Sequence, residues 1–171
     1  MRMIPARFIL LPALLMTFGA QAQRRVVNTE EPVVLIAPGF PVIKGSSSVV
    51  HRSFDGASMH VESRGFAPNC VASAWWFIFN HPENCTHPDL SQGYLCTGPD
   101  LPDPATGGTY QFADSQVVHG GGEVSFTATL AVGDVSHCAS PTSPCVGLTN
   151  PMRAEYHILL RSMGPVIPTL L

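Results

Sequence analysis

The sequence predicts an all-β protein that folds as a single antiparallel β-sandwich, and three observations lead to this prediction. The 171 residues include 15 glycines and 16 prolines, which is typical of many turns between short strands. Several segments alternate apolar and polar residues, as half-buried strands do, whereas no segment has the apolar spacing of an amphipathic helix. A sheet with one apolar face is stable when a second sheet covers it. A sandwich is therefore favoured over the alternative, a small β-barrel.

The segment from Val71 to Asn80 predicts the central strand. It contains both tryptophans of the chain, and its two alternating faces are both apolar. Such a strand is normally covered on both sides, whereas an alternating strand has one face in water. Trp75 and Trp76 are adjacent and therefore point to opposite faces, where we expect both to pack in the core. A carbohydrate-stacking platform is the alternative if either ring is exposed.

Five other segments complete the predicted sandwich. The turn at 65–68 predicts that the strand before it pairs with the central strand, and the glycines at 120–122 predict a hairpin between the strands that flank them. Residues 45–48 have the composition of a loop. The five segments are a first strand or edge segment at 33–37 and strands at 57–63, 110–118, 123–132 and 154–162. The side chains predicted to point inward are Met59, Val61, Val124, Phe126, Ala128, Leu130, Val132, Tyr156, Ile158 and Leu160.

The N-terminal residues predict a signal peptide rather than part of the fold. Arg2 and Arg7 precede an apolar run at 8–18, and Ala20–Ala22 has the small-x-small pattern of a cleavage site. The apolar run is too short to span a bilayer, which predicts a secreted or periplasmic protein with no membrane span after cleavage. An uncleaved N-terminal anchor is the alternative. The predicted organisation is a signal peptide at 1–22, a leader and first edge segment at 23–55, and the β-sandwich domain at 56–171.

The charge of the chain argues against two classes of partner. Nine Lys and Arg residues are set against twelve Asp and Glu residues, and loss of the two arginines of the signal peptide takes the net charge from −3 to −5. An acidic chain without a basic stripe does not attract nucleic acid or an anionic membrane surface. The sequence does not specify a ligand, an envelope partner or an oligomeric state.

Five cysteines behind a secretion signal predict disulfide bonds that clip the loops. Sequence spacing favours Cys85–Cys96 and Cys138–Cys145, each of which closes a short, turn-rich loop, and other pairings remain open. Cys70 is left at the entry of the central strand. A small buried thiol is expected there, with an intermolecular bridge as the alternative.

Seven histidines raise the question of a metal site. His60-x-Glu62 and Glu155-x-His157 each place a histidine and a carboxylate on one face of a strand, as ligation of Zn²⁺ or Cu²⁺ requires. If the two strands were neighbours, these four residues would form a single metal site. The favoured interpretation is that they are ordinary polar residues on the wet face of a sheet, with no cofactor, because two-residue spacing is the period of any strand.

The sequence assigns no catalytic residue. The common motifs G-x-S-x-G, C-x-x-C, H-E-x-x-H and G-x-G-x-x-G are all absent. A hydrolase site would lie in the long, proline-rich segment 81–109, since long loops of compact domains are often functional. Asp89, Asp100 and Asp103 lie in that segment, but their spacing does not predict the separation that a catalytic carboxylate pair needs.

Two motifs carry a resemblance to known proteins. They are Ala74-Trp-Trp-Phe-Ile-Phe-Asn80-x-Pro82-Glu-x-Cys85 and Gly147-Leu-Thr-Asn-Pro-x-x-Ala154-Glu-x-His157-x-x-x-Arg161-Ser-x-Gly164-Pro165. From about residue 56 to residue 165 the chain resembles a group of uncharacterised secreted bacterial proteins. The resemblance implies a signal peptide and a secreted β-rich domain, and it carries no catalytic residue over. It also implies a further strand after the final Gly-Pro, which would fit the apolar end of this sequence.

A fainter likeness is to the chordin-type (CHRD) β-sandwich. It rests on a strand, a Gly-Phe-x-Pro turn and a second strand at Ala57–Asn80. This chain has Trp75 and Trp76 where such domains often carry paired histidines, so the likeness implies the fold alone.

Together these observations predict an exported, non-catalytic binding or envelope-associated β-sandwich module. The first alternative is a secreted Zn- or Cu-binding protein that uses His60, Glu62, Glu155 and His157. The second is a hydrolase with its site in the 81–109 loop. An exposed tryptophan would favour carbohydrate binding.

Overall fold

Two antiparallel sheets pack face to face in the computed structural model, which describes residues 26–34, 41–138 and 145–166. The four-stranded sheet has the order β1-β2-β3-β6, and the three-stranded sheet has the order β5-β4-β7. This arrangement confirms the predicted all-β sandwich; the described strands form two separate sheets and not the alternative, a closed barrel. The strands are β1 (Val27–Glu31), β2 (Ser47–Ser53), β3 (Gly56–Ser63), β4 (Cys70–Phe79), β5 (Gly108–Val117), β6 (Val124–Ala131) and β7 (Glu155–Pro165). The predicted signal peptide and the apolar residues 167–171 lie outside the described ranges.

The core lies between the sheets and is built from one face of each. Met59 of β3 and Phe126 of β6 pack in one cluster with Trp76 and Ile78 of β4, and all four are almost completely buried. Removing side chains of this size from water is the dominant favourable term in folding. The predicted inward faces of β3, β6 and β7 are confirmed, except that Val132 follows the end of β6 and is exposed.

Two connections that the sequence predicts as turns between paired strands cross between the sheets instead. β3 pairs with β2 and β6, and β4 pairs with β5 and β7, so the predicted pairing of β3 with β4 is wrong. The predicted hairpin at 119–122 is also wrong, since β5 and β6 lie in different sheets. Glycine and proline allow a tight hairpin turn and a short crossover equally well, so their presence does not distinguish the two.

The two crossovers lie side by side. Phe66 N donates to Gly122 O at 3.2 Å, and Asn69 N donates to Val118 O at 2.9 Å. Gly122 has a φ of 68°, and a Cβ atom at this position would lie 2.6 Å from Phe66 O. Glycine is therefore required where the crossovers meet.

The sandwich begins earlier than the predicted boundary at residue 56. β1 and β2 come from the segment predicted as a leader and loop, and β2 pairs with β3 along its whole length. Both strands are rich in polar residues, because β1 lies at a sheet edge and each has a face in water. In the predicted strand at 33–37, Val34 forms an isolated bridge with Val42, and residues 35–37 lie outside the described ranges.

Both predicted disulfides are present. Cys85–Cys96 closes part of the segment between β4 and β5, and Cys138–Cys145 closes a segment that is bridged to β5. Cys70 has a free, buried thiol, as expected. Among the described residues, no helix has the length and apolar character needed to cross a membrane.

Asn80, directly after β4, joins the loops at this end of the sandwich. The residue is 1% exposed, and both polar atoms of its side chain form hydrogen bonds. Nδ2 donates to Gly107 O at 2.8 Å and to Gly147 O at 2.9 Å, while Oδ1 accepts from Thr149 N at 2.7 Å and Asn150 N at 3.3 Å. The end of β4 is thereby fixed to the start of β5 and to the segment before β7.

Candidate ligand-binding face

The outer face of the three-stranded sheet carries a group of aromatic side chains. Trp75 and Phe77 point away from the core, because Trp76, which lies between them in β4, points into it. On β5, Phe112 lies opposite Trp75 and Tyr110 lies opposite Phe77. We refer to Trp75, Phe77, Tyr110 and Phe112 as the aromatic face. On the other side of β4, Leu159 of β7 lies opposite Trp75 and extends this apolar surface.

The four rings of the aromatic face contact one another across the strands. The ring centroids of Phe77 and Tyr110 are 4.4 Å apart, those of Trp75 and Tyr110 are 5.0 Å apart, and Phe112 meets Trp75 edge-on at 5.3 Å. Aromatic pairs at such separations stabilise each other beyond the area they bury. Trp75 Nε1 donates to Ser73 Oγ at 2.8 Å, which satisfies its polar group and holds the indole in place.

The aromatic face is only partly covered. All four rings are half-buried, whereas Trp76 is 1% exposed. The expected core packing is therefore confirmed for Trp76 and wrong for Trp75. The outer face of the four-stranded sheet differs, since cross-strand neighbours there, such as Ser58 and Thr129, are polar. A sheet face in contact with water normally carries polar residues, so the aromatic face has the character of an interaction surface.

A β-bulge lies directly beside the aromatic face. Ala74 pairs with Asp114 and Trp75 pairs with Phe112, so Ala113 is the extra residue on β5. A bulge bends its strand, increases the local twist and changes the direction of neighbouring side chains, and bulges are over-represented next to functional sites. This bulge sets the relative orientation of Trp75 and Phe112.

Glu155 fastens the loop between β4 and β5 to the margin of this sheet. Its Oε2 accepts from Leu95 N and its Oε1 accepts from Cys96 N, both at 3.2 Å. Oε1 also lies 2.7 Å from His157 Nε2, and the ring centroids of His157 and Tyr94 are 4.6 Å apart. The Glu-x-His pair of β7 thus holds the segment that contains Cys96.

Replacing Glu155 by alanine is expected to loosen this loop. The amides of Leu95 and Cys96 lose their acceptor, and a hydrogen bond to a charged group contributes about 1.5–3 kcal/mol, so their hydrogen exchange should accelerate about tenfold or more. Exchange measured by NMR checks this result. Glu62→Ala is the matched control, because Glu62 also lies beside a histidine, His60, but on the exposed outer face of β3. Equal exchange at both amides in Glu155→Ala and wild type would contradict the assignment.

The four residues predicted as a metal site are not brought together. His60 and Glu62 lie on β3, with His60 Nε2 and Glu62 Oε1 3.5 Å apart, while Glu155 and His157 lie on β7 in the other sheet. Both pairs point outward, so the core separates them. In the part of the chain that the structure describes, no three His, Cys, Asp or Glu side chains group as metal ligands would. Binding of Zn²⁺ or Cu²⁺ by the protein stays a prediction.

Asp100 organises the interior of the predicted hydrolase loop. The side chain is 1% exposed; Oδ1 accepts from Thr86 N at 2.9 Å and His87 N at 3.1 Å, and Oδ2 accepts from Thr97 N at 2.9 Å. Burial alone raises the pKa of a carboxyl group, but the hydrogen bonds from Thr97, Thr86 and His87 outweigh it and hold the pKa of Asp100 far below its usual value. A carboxylate held in its charged form does not act as a general acid at neutral pH.

The other two carboxylates of this loop also serve its local structure. Asp103 Oδ1 accepts from Ala105 N at 2.9 Å and caps the short 3₁₀ helix Pro104–Thr106. Asp89 Oδ1 accepts from both the backbone N and the Oγ of Ser91. These contacts favour a structural role for the loop over a hydrolase site.

Tyr110 and Phe112 are functional candidates that sequence reasoning missed. The strand 110–118 has a weak alternating pattern, and its aromatic residues carry no motif. The available signal is their two-residue spacing, which places both rings on one face. That face is identified only when the register with β4 is known.

Comparison with known proteins finds no family model, no curated protein and no solved structure that matches this chain. Its function is therefore argued from its own residues.

Proposed function

We propose that this protein is an exported, non-catalytic binding module that attaches to extracellular or envelope polysaccharide through the aromatic face. The observation that carries the proposal is the partial exposure of Trp75 and its three aromatic neighbours, which contact one another on the outer face of the three-stranded sheet. One side of a pyranose ring presents C–H groups with partial positive charge. Such groups pack favourably on the negative π-face of an aromatic ring.

The shape of the surface supports a polymeric ligand. Small molecules usually bind in concave pockets, whereas the aromatic face is the surface of a sheet. A shallow cavity of about 380 Å³ lies elsewhere, around the β2–β3 turn, and its lining includes His51, Arg52 and Leu130 but no Phe, Tyr or Trp. An extended glycan fits a sheet surface, because it can contact several rings in succession.

The charges around the aromatic face support a neutral glycan. Arg161 lies opposite Ser73, beyond Trp75 along the strands, and at the other end Glu155 is paired with His157. Among the described residues, the face thus has no cluster of charges of one sign that would select an anionic or a cationic ligand. Predicted export would bring the protein to the compartment where polysaccharides are accessible.

Replacing Trp75 by alanine is expected to weaken binding to polysaccharide about tenfold or more, because a central tryptophan commonly contributes at least 1.4 kcal/mol to an interface. The oxidised mature protein would be tested for retention on peptidoglycan, chitin and cellulose. Titration with chito- and cello-oligosaccharides would follow, with the shielding of Trp75 from acrylamide quenching as the readout. Trp76 is buried, so the quenchable signal reports on Trp75.

Thr129→Ala, on the polar outer face of the other sheet, is the matched control and should bind as wild type does. Near-ultraviolet circular dichroism confirms that each variant is folded. If no polysaccharide retains the wild type, or if Trp75→Ala and Thr129→Ala bind equally, the aromatic face is not a glycan site. Retention of a protein partner alone would also overturn the proposal.

A further inference from the structure

The outer edge of β7 is uncovered in the part of the chain that the structure describes. There β7 pairs with β4 alone, whereas the outer edge of β5 is bridged at Thr109 and Gln111 by Cys145 and Cys138. An uncovered edge presents free backbone N–H and C=O groups, which pair readily with a strand from another chain. The two edges of this sheet therefore differ in their capacity to bind a partner.

The inward side chains of β7 are incompletely buried. Tyr156, Ile158 and Leu160 point toward the core but are only half-buried, while the side chains opposite them on β4 are fully buried. The three-stranded sheet is also one strand narrower than the sheet it covers. A strand added beside β7 would cover these three side chains and complete the layer.

We propose that the partner is a second copy of this chain, with the two β7 strands paired antiparallel about a two-fold axis at Ile158. Each inward residue then faces an inward residue of the other copy, because directly opposite residues in an antiparallel pair share a face. Tyr156 of one copy lies opposite Leu160 of the other, and Ile158 lies opposite itself. The two three-stranded sheets become one sheet of six strands.

Charge complementarity selects this register. With the axis at Ile158, Glu155 of each copy lies opposite Arg161 of the other. The Glu155 carboxylate, which also accepts from Leu95 N and Cys96 N, would then pair with this guanidinium, which gives two cross-strand ion pairs. Moving the axis to Leu159 places Glu155 opposite Met163 and Arg161 opposite His157, and both ion pairs are lost. A two-fold interface requires a self-complementary surface, and this strand contains both halves of each pair.

The pairing would place two aromatic faces on the same side of one continuous sheet. Outward residues of one copy lie beside outward residues of the other, so a single polymer chain can contact both faces. Two linked sites raise the apparent affinity for a polymer without any new contact. The pairing itself requires no ligand, so it is tested separately from polysaccharide binding.

The oligomeric state of the oxidised mature protein, without ligand, tests the proposal. Sedimentation velocity should show a monomer–dimer equilibrium across the micromolar range. Arg161→Glu places like charges opposite each other twice and should raise the dissociation constant about tenfold or more. Arg153→Glu, also exposed but outside β7, is the matched control and should leave the constant unchanged. A monomer at every concentration, or equal dimerisation of Arg161→Glu and wild type, would overturn the proposal.

Cysteine cross-linking tests the register directly. Ile158→Cys should form a disulfide-linked dimer, because residues opposite themselves across the axis bring their Cα atoms within about 4.5–5.5 Å. Leu160→Cys faces Tyr156 of the other copy and should not cross-link. The buried native thiol, Cys70, gives little background. Cross-linking of Leu160→Cys in place of Ile158→Cys would refute the register.

Discussion

Replacement of Asn80 by aspartate is expected to lower the free energy of unfolding by about 3–4 kcal/mol, a large part of the 5–15 kcal/mol typical of a domain. The substitution keeps the shape of the side chain but turns the Nδ2 donor into an acceptor. The carbonyls of Gly107 and Gly147, each within 2.9 Å, then face a second oxygen instead of an N–H group. Two acceptors and an unpaired charge are left in a buried site.

Urea denaturation of Asn80→Asp and wild type measures this loss. Asn84→Asp is the matched control, because Asn84 is exposed and its Nδ2 donates to one carbonyl, that of Ala105. We expect the control to lose less than about 1 kcal/mol. Equal stability of the two variants would show that the loops around β4 do not depend on Asn80.

Replacement of Asp100 by asparagine is expected to cost about 2–3 kcal/mol at neutral pH. The amide oxygen can still accept from Thr86 N and His87 N, but the amide nitrogen meets Thr97 N–H, so two donors face each other. Asp103→Asn is the matched control, since Asp103 is exposed and asparagine caps a helix as well as aspartate does.

The effect of Asp100 depends on pH with a defined sign. Its pKa in the folded state lies below the value of about 3.9 for an unfolded aspartate, so its stabilisation is fully present above that value. The stabilisation is lost as the pH falls through about 4 and below. The difference in unfolding free energy between wild type and Asp100→Asn should therefore be largest near pH 7 and shrink in acid. A difference that stays constant from neutral to acid pH would contradict the assignment.

The sequence predicts those features of the fold that are local. The alternation of β3 and β6 shows in their own residues, because one face of each lies in water and the other in the core. The disulfides are predictable since both bridges close short loops, where the two thiols meet at small entropic cost. Cys70 is predictable as a buried thiol because it begins the most apolar strand.

The features that the sequence does not predict depend on placement in the whole fold. Whether Gly65 and Gly122 lie in hairpins or in crossovers depends on which sheet receives the next strand. β1 is missed because an edge strand with a wet face can be almost entirely polar. The partial exposure of Trp75 is missed because alternation reports which side chains are apolar and not whether another layer covers them.

The candidate site also has some features that the sequence predicts and others that it does not. The spacing His60-x-Glu62 predicts a shared face, which the structure bears out, but it gives no information on whether β3 and β7 are neighbours. The aromatic face combines residues of β4 and β5 that a long loop separates in the sequence, so no local pattern contains it.

The pairing of β4 with β7 has a consequence for how the protein matures. Phe79 pairs with Glu155 and Cys70 pairs with Pro165. The strand that carries Trp76 is therefore paired with a strand that lies far along the sequence. A topology with such high contact order folds slowly, on a timescale of about milliseconds to seconds. All four bridged cysteines precede β7 in the sequence, so during synthesis from the N-terminus they are made before the second neighbour of the central strand. The cysteines of both bridges are therefore present in the chain before the strand that completes the sheet around Trp76.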